Sequence, residues 1–259
     1  MVEITLPPVE EQNRQAEIPD YGRFTLDGAD LEKQCLSEAR IADFIIAQSQ
    51  YTFEYLVRRG IDAGRIRIIP LGVDTEKFTP YFRGASSRRP KMLFVGQLGY
   101  RKAIWQLITR LDRTEFAQWD LDIVGETVDS VGKWCTECRF PNVHIYGRVS
   151  DEAIIDLYHR ADVFVMPSLS EGGCNVVMEA LACGLPCIVS DAAVSIVTHG
   201  ESGYVIPRGD MIGFADGLTR LRQNADLRRT MGNRARQIAE KYSWREYRNR
   251  LAKFYSSIF

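Results

Sequence analysis

From Lys91 onward the chain alternates between two hydrophobic rhythms. Short, nearly unbroken apolar runs stand at 91–96 (KMLFVG), 120–125 (DLDIVG), 142–147 (NVHIYG), 162–168 (DVFVMPS), 186–191 (PCIVSD) and 203–207 (GYVIP). Runs of this length predict strands buried on both faces. Between them, apolar residues recur three and four apart at 102–111 (KAIWQLITRL), 130–138 (SVGKWCTEC), 151–161 (DEAIIDLYHRA) and 175–184 (NVVMEALACG), which predicts helices. This alternation implies a parallel sheet covered by helices on both sides. Three of the strands end in glycine (Gly96, Gly125, Gly147), as tight turns at the carboxyl edge of the sheet require. Ligands bind at that edge in open α/β sheets. From about Met211 the pattern is helical to the end, with Ser243 placed to cap the last helix.

The first 80 residues read differently. A helix running into a strand is predicted over 38–50 (EARIADFIIAQSQ), a helix closed by Gly60 over 51–60, and a further strand within 65–74 (RIRIIPLGVD). Residues 80–90 (PYFRGASSRRP) read as a linker. Two strands are too few for an independent sheet. Residues 1–80 are therefore expected to be an incomplete α/β segment, and 81–259 the main domain. The strands FIIAQS and RIRIIP would leave unpaired edges, to be covered by another domain, a partner chain or a second copy. There is no internal repeat. No G-x-G-x-x-G follows a strand, which argues against a dinucleotide-dependent dehydrogenase.

Composition narrows the class. The chain is 45 % hydrophobic and 26 % charged, as ordinary globular domains are. No apolar run approaches the roughly 18 residues of a membrane-spanning helix, and MVEITLPPVEEQ lacks the make-up of a signal peptide. A cytoplasmic protein is expected. A net charge of -1 gives no reason for a nucleic-acid partner. The charge is uneven, however: residues 1–40 hold nine acidic and four basic groups, and residues 220–253 eleven basic and three acidic. Either the two ends are neighbours or simply solvated, or a basic helical surface meets an acidic partner or anionic lipid, as a peripheral contact at the inner membrane surface. Two cysteine pairs, in WCTEC (134–138) and CGLPC (183–187), do not combine into a zinc spacing. Cys35, Cys174, Cys183 and Cys187 read as reduced core residues, and no metal site is expected.

One carboxylate stands out. VVMEALAC (176–183) is apolar except for Glu179, whose neighbours three and four residues away are Asn175, Val176, Ala182 and Cys183. A buried carboxylate needs a partner. Eight residues earlier, Glu171 precedes Gly172 and Gly173 in a loop that opens the helix, and it could serve only as a capping charge. Glycines allow backbone to approach a ligand, and a helix N-terminus at a sheet edge binds anions. A diphosphate at the amides of Gly172, Gly173, Cys174 and Asn175, with a ribose diol on Glu179, would be a nucleotide-sugar site. Lys102 could be a phosphate ligand or an ordinary helix-start lysine. None of His144, His159 and His199 belongs to a constellation suggesting a base. His159 is expected at the surface, His199 before a turn bordering the site, and Arg208 and Asp210 at the start of the next helix.

The stretches PSLSEGGCNVVMEALACGLPCIVSD (167–191), LFVGQLGYRKAIWQLI (93–108), HGESGYVIP (199–207) and RIRIIPLGVDTEKFTP (65–80) together resemble the C-terminal, donor-binding half of family 4 glycosyltransferases. The resemblance implies a GT-B fold, whose C-terminal domain is Rossmann-like, with only the tail of the N-terminal domain present. It implies Glu179 on the ribose hydroxyls, Glu171 against the transferred sugar, and Lys102 on the diphosphate. The base lies near the backbone of Gly147, Arg148 and Val149. Transfer in the family is retaining and metal-independent, and no cofactor is implied. Three departures follow. Gln97, next to Gly96, stands where the family has Arg, and Arg101 on the same loop is the candidate to replace it. Ala103 replaces a Gly. The stretch AAVSIV (192–197), with Ser195 near the family's acidic position, is shorter than usual.

Two functions from different classes compete. One is a glycosyltransferase that moves a hexose from a UDP- or GDP-linked sugar to a glycan, lipid or small-molecule acceptor, completed by a second domain or chain. The other is a non-catalytic nucleotide-sugar-binding or regulatory subunit, favoured by Gln97 and the short N-terminal segment. A sugar-nucleotide epimerase would need acid/base residues that the sequence does not show.

Overall fold

A computed structural model describes residues 2–4, 27–81, 89–110, 115–137 and 140–258. The N-terminal lobe runs β1 (Val2–Ile4), α1 (Asp27–Ile41), β2 (Ile45–Ala47), α2 (Gln50–Arg58) and β3 (Ile66–Ile68), and its strands form a parallel sheet in the order β1-β2-β3. The expectation of two lone strands is thus corrected. Val2–Ile4 pairs with Ile45–Ala47, so β2 is an interior strand. Strand pairing is non-local, and nothing in residues 38–74 could announce a partner some forty residues upstream. The buried run Ile45, Ile46, Ala47 fits that interior place: Ile45 and Ala47 build the small core of this lobe with Leu36, Ala39, Leu56 and Ile66, and Ile46 faces the other side of the sheet.

The larger lobe contains β4 (Lys91–Val95), α3 (Ile104–Ile108), β5 (Asp120–Val124), α4 (Ser130–Glu137), β6 (Val143–Ile145), α5 (Asp151–Arg160), β7 (Val163–Met166), α6 (Asn175–Ala182), β8 (Cys187–Ser190), β9 (Gly203–Ile206), α7 (Met211–Gln223), α8 (Ala225–Glu240) and α9 (Trp244–Ser256). All six strands lie parallel, in the order β6-β5-β4-β7-β8-β9. Unbroken apolar strands sit at its centre because both faces are covered. Met92, Leu93 and Phe94 of β4, the four residues Val163–Met166 of β7, and Cys187, Ile188 and Val189 of β8 have no exposed surface. Close approach between strand ends needs glycine at Gly125 (φ 142°), where a Cβ would stand 1.9 Å from the Gly96 carbonyl oxygen.

The helix read over 102–111 is shorter than its periodicity suggests. A 3-10 turn, Tyr100–Lys102, precedes it, and Ala103, in left-handed conformation (φ 52°, ψ 19°), separates the two. Lys102 therefore lies on a turn at the strand end rather than within the helix. Ser243 does cap α9, accepting the Glu246 N–H at 3.3 Å. That helix folds back onto the N-terminal sheet: Tyr247, Leu251 and Phe254, one helical face, pack on Phe44, Ile46 and Ile69. Among the described residues no helix is long and apolar enough to cross a membrane.

Candidate functional site

The chain leaves β4 outward through β5 to β6, then returns to β7 on the other side of β4. Strand order reverses there, and the loops after β4 and β7 diverge around one crevice at the carboxyl edge. These loops are 96–102 and 168–174. They are tied together directly, since the Leu169 N–H donates to the Arg101 carbonyl at 2.9 Å.

Glu171 lies in the crevice, only 5 % exposed. Lys102 Nζ stands 2.6 Å from its Oε1, and Arg101 Nη1 stands 3.2 Å from its Oε2. Burial alone would raise the carboxyl pKa. The Lys102 ammonium and Arg101 guanidinium outweigh burial and hold it below the usual carboxylate range. One carboxylate between two cations leaves one net positive charge beside the start of α6. Cys174 caps that helix without a side-chain hydrogen bond, so first-turn N–H groups remain for a ligand.

Glu179, one turn further along α6, is half-buried and has a partner that its own segment could not reveal. The Tyr158 hydroxyl, on α5, donates to its Oε2 at 2.8 Å. Tyr158 is completely buried. Burial raises the Glu179 pKa, against the opposing pull of Tyr158 and of Lys77. Burial, and then the Glu179 charge, push Tyr158 well above the usual phenol value. The two glutamates thus share a helix and its preceding loop but have opposite electrostatics.

The structure distributes the other expected residues unevenly. Gly96 leaves room for the Lys102 stem, whose Cε passes 3.4 Å from where a Cβ would stand. Gln97 is exposed. Gly172 is buried, and Gly173 lies against the Gln48 side chain, whose Oε1 would be 2.4 Å from a Cβ there. Cys174 is buried and its thiol is pushed up to about 12, by burial first and the Glu171 charge second, so it stays protonated. Asn175 is exposed at the start of α6. Arg148 is not brought to Glu171. It lies beyond β6, 3.4 Å from Glu126, with both side chains largely exposed.

Two readings are corrected. Asp210 caps α7, accepting the Gly213 N–H at 2.9 Å, but Arg208 turns back to Asp191, with Nε 3.1 Å from Oδ1. His159 is half-buried, stacked on Tyr81 at 5.2 Å and bonded to the Thr79 carbonyl at 2.9 Å. His199 stands before the turn at 200–202, as expected, with Nδ1 3.1 Å from both the N–H and the carbonyl of Val205. Of the cysteines, Cys174, Cys183 and Cys187 are buried, Cys35 is half-buried, and all four are free; Cys138 lies outside the described residues. A cleft of about 1040 Å3 opens at the opposite, amino-terminal ends of β4, β7 and β8, lined by Asp162, Pro186, Arg222 and Arg228 among others. It contains none of the residues of the Glu171 crevice.

The family described as "Glycosyl transferases group 1" matches residues 79–238, more than half of the chain, and "Glycosyltransferase Family 4" matches residues 21–77. The chain belongs to the group 1 glycosyltransferases. Similar proteins include sulfoquinovosyl transferase SQD2 of Arabidopsis thaliana, 29 % identical over 80 % of this chain and 43 % of that protein. A GDP-mannose-dependent alpha-mannosyltransferase of Mycobacterium tuberculosis is 32 % identical over 66 % of this chain and 46 % of its own. Among solved structures, sucrose-phosphate synthase from Thermosynechococcus elongatus superposes with a TM-score of 0.75 at 25 % identity, covering 91 % of this chain and 64 % of the other. Anabaena HepE, solved with UDP and glucose, shares the fold at 18 % identity and a TM-score of 0.70, over 87 % of this chain and 66 % of its own. This glycosyltransferase chain spans about half the length of the curated relatives it matches. Its larger lobe is the Rossmann-like half of a GT-B fold, and its smaller lobe is a three-stranded parallel α/β unit.

The residues that the sequence did not mark are those joining distant segments: Tyr158 behind Glu179, and Gln48 to Thr52 behind the Glu171 loop. No local spacing signals such contacts. The one clue was chemical, in that Glu179 required a partner somewhere.

Proposed function

We propose that this chain forms the donor side of a retaining, metal-independent sugar transfer. Residues 81–259 act as the nucleotide-sugar domain and residues 1–80 as the tail of an acceptor-side domain. The observation that carries the reading is Glu171, buried at a sheet switch point between Lys102 and Arg101. In this reading Lys102, Arg101 and the amides of Gly172 to Asn175 take the charge of the leaving diphosphate, as a divalent ion would elsewhere. Glu171 faces the transferred hexose, and Glu179 accepts from the ribose hydroxyls. The base lies toward Arg148, beyond β6. UDP- and GDP-linked hexoses are both candidates, since a relative is named for GDP-mannose and a fold neighbour was solved with UDP and glucose. The acceptor, whether glycan, lipid or small molecule, would bind on the remainder of the N-terminal lobe, in the same or another chain.

A second reading is favoured by one observation. Gln97 supplies no charge where the family has a cation, and Arg101 is already engaged with Glu171 and the Ser170 carbonyl. A binding subunit without transfer would tolerate that loss.

Thermal unfolding against UDP, GDP, ADP and their hexose conjugates separates the outcomes. A ligand at about 100 times its Kd stabilises by roughly 2.7 kcal/mol. A shift with one nucleotide that disappears in Glu179→Ala supports the donor site, and release of free sugar or glycoside then separates enzyme from binding subunit. No shift with any nucleotide would refute the donor reading for this chain.

A further inference from the structure

The loop that carries Glu171 is held from both lobes. On its own side, Ser190 Oγ donates to the Ser168 carbonyl at 2.5 Å and Arg101 Nη1 to the Ser170 carbonyl at 3.0 Å. From the other lobe comes the start of α2. Ser49 Oγ and Thr52 Oγ1 both donate to the Gly172 carbonyl, at 2.7 and 3.0 Å. The Tyr51 hydroxyl lies 3.1 Å from Ser170 Oγ, and Gln48 fills the space that Gly173 leaves open. Gln48, Ser49, Tyr51 and Thr52 are all buried, although each is polar or carries a polar tip.

Tyr51 is itself pinned. Arg208 Nη1 donates to its hydroxyl oxygen at 3.2 Å, and the guanidinium lies 4.8 Å from its ring centroid. Arg208 is fixed in turn by Asp191, with Nε on Oδ1 at 3.1 Å, Nη2 on Oδ2 at 3.3 Å and its own backbone N–H on Oδ1 at 3.0 Å. Arginine has no acceptor. The phenol oxygen that accepts from Arg208 also meets Ser170 Oγ, a contact in which either hydroxyl can donate. The contacts thus run without a break from Asp191 through Arg208 and Tyr51 to Ser170.

We propose that Tyr51, held by Arg208 and Asp191, is a positioning residue. Together with Ser49 and Thr52 it sets the backbone on both sides of Glu171, so that docking of the two lobes and placement of the Glu171 carboxylate are one event. When the N-terminal lobe swings away, Ser170 and Gly172 lose three hydroxyl partners together, and the loop is free to move. The consequence for sugar transfer rests on the donor-site reading above, whereas the coupling of loop to lobe does not.

The test uses the full chain with Tyr51→Phe, which keeps the ring, and Arg208→Lys, which acts from the other lobe should the first variant fold poorly. Hydrogen–deuterium exchange over 168–174 should rise about tenfold or more in either variant, while β4 and β8 stay protected. The double variant should exchange no more than about twofold faster than the stronger single one, because both break the same chain of contacts. Unchanged exchange, or effects that multiply, would overturn the coupling. With UDP-glucose and GDP-mannose as probes, turnover should fall about tenfold at unchanged KM in Tyr51→Phe; increased exchange with unaltered kcat would overturn the positioning role. If the unsubstituted chain turns over neither probe, the donor reading loses support, and the exchange data still decide the coupling.

Discussion

Lys102→Met removes the ammonium from Glu171 while keeping most of the side-chain volume. At an effective dielectric of about 20, a pair of charges 2.6 Å apart attracts by roughly 6 kcal/mol before hydration is counted. Most of that is offset by dehydrating both ions, but the carboxylate stays buried after the substitution. Breaking a buried pair from one side costs about 3–5 kcal/mol. Arg101, 3.2 Å from the other oxygen, remains, which puts the expected loss near the lower end, about 3 kcal/mol. For a chain of this size that is a drop of about 6–12 °C in the unfolding temperature. The pH dependence carries the sharper signature. In the unsubstituted protein the Glu171 pKa is depressed, so its contribution is present above the ordinary carboxylate value and is lost as pH falls through the folded one. In the variant, burial is opposed only by Arg101 and the Ser168 hydroxyl, and the carboxyl titrates higher, so acid neutralises the stranded charge. The gap between the two proteins should therefore be wider at pH 7 than at pH 4, and Lys102→Met/Glu171→Gln should recover more than half of it at pH 7. Thermal unfolding at both pH values measures this. A loss under about 1 kcal/mol at pH 7, typical of an exposed pair, or an equal gap at pH 4, would refute the buried-clamp account.

Three further outcomes follow from other parts of the site. Tyr158→Phe strands one Glu179 oxygen and should cost about 1–3 kcal/mol at pH 7. Because the Glu179 pKa is already raised by burial, its ionisation penalises the fold as pH rises through the unfolded and then the folded pKa, so this loss should shrink in acid, as unfolding at pH 4 and 7 would show. Gln97→Arg should tighten nucleoside diphosphate binding by up to about 3 kcal/mol if the exposed position faces the phosphates; calorimetry showing no gain would place the diphosphate elsewhere. Ala103→Val should destabilise by about 2 kcal/mol or more, since a β-branched residue is poorly tolerated at φ 52° and the site is fully buried, whereas Ala103→Gly should change stability by less than about 1 kcal/mol. Urea unfolding of both variants checks the contrast.

Much of the architecture was legible in the chain because it is local. Each strand of the six-stranded sheet was a short apolar run, and the central ones are buried on both faces, whereas edge strand β6 leaves His144 exposed. Their glycine-terminated ends, and two glutamates eight residues apart in α6 and the loop before it, mark the carboxyl edge of the sheet. Where local pattern failed, a non-local event had intervened. The helix at 102–111 was cut short because Ala103 turns left-handed to bring Lys102 back over Gly96 toward Glu171. β2 became an interior strand because Val2–Ile4 paired with it across a long intervening stretch.

The sequence by itself determined the layers, the switch-point loops and the identity of the two carboxylates, since these depend on hydrophobic period and residue chemistry. Only the tertiary structure decided their electrostatic roles. Glu171 is held ionised by two cations from the loop after β4, and Glu179 is raised by burial against a tyrosine from another helix. It also decided that Arg208 faces Asp191 and Tyr51 rather than opening a helix. A carboxylate's charge state follows from what surrounds it in three dimensions, and those neighbours come from 69 and 21 positions away along the chain.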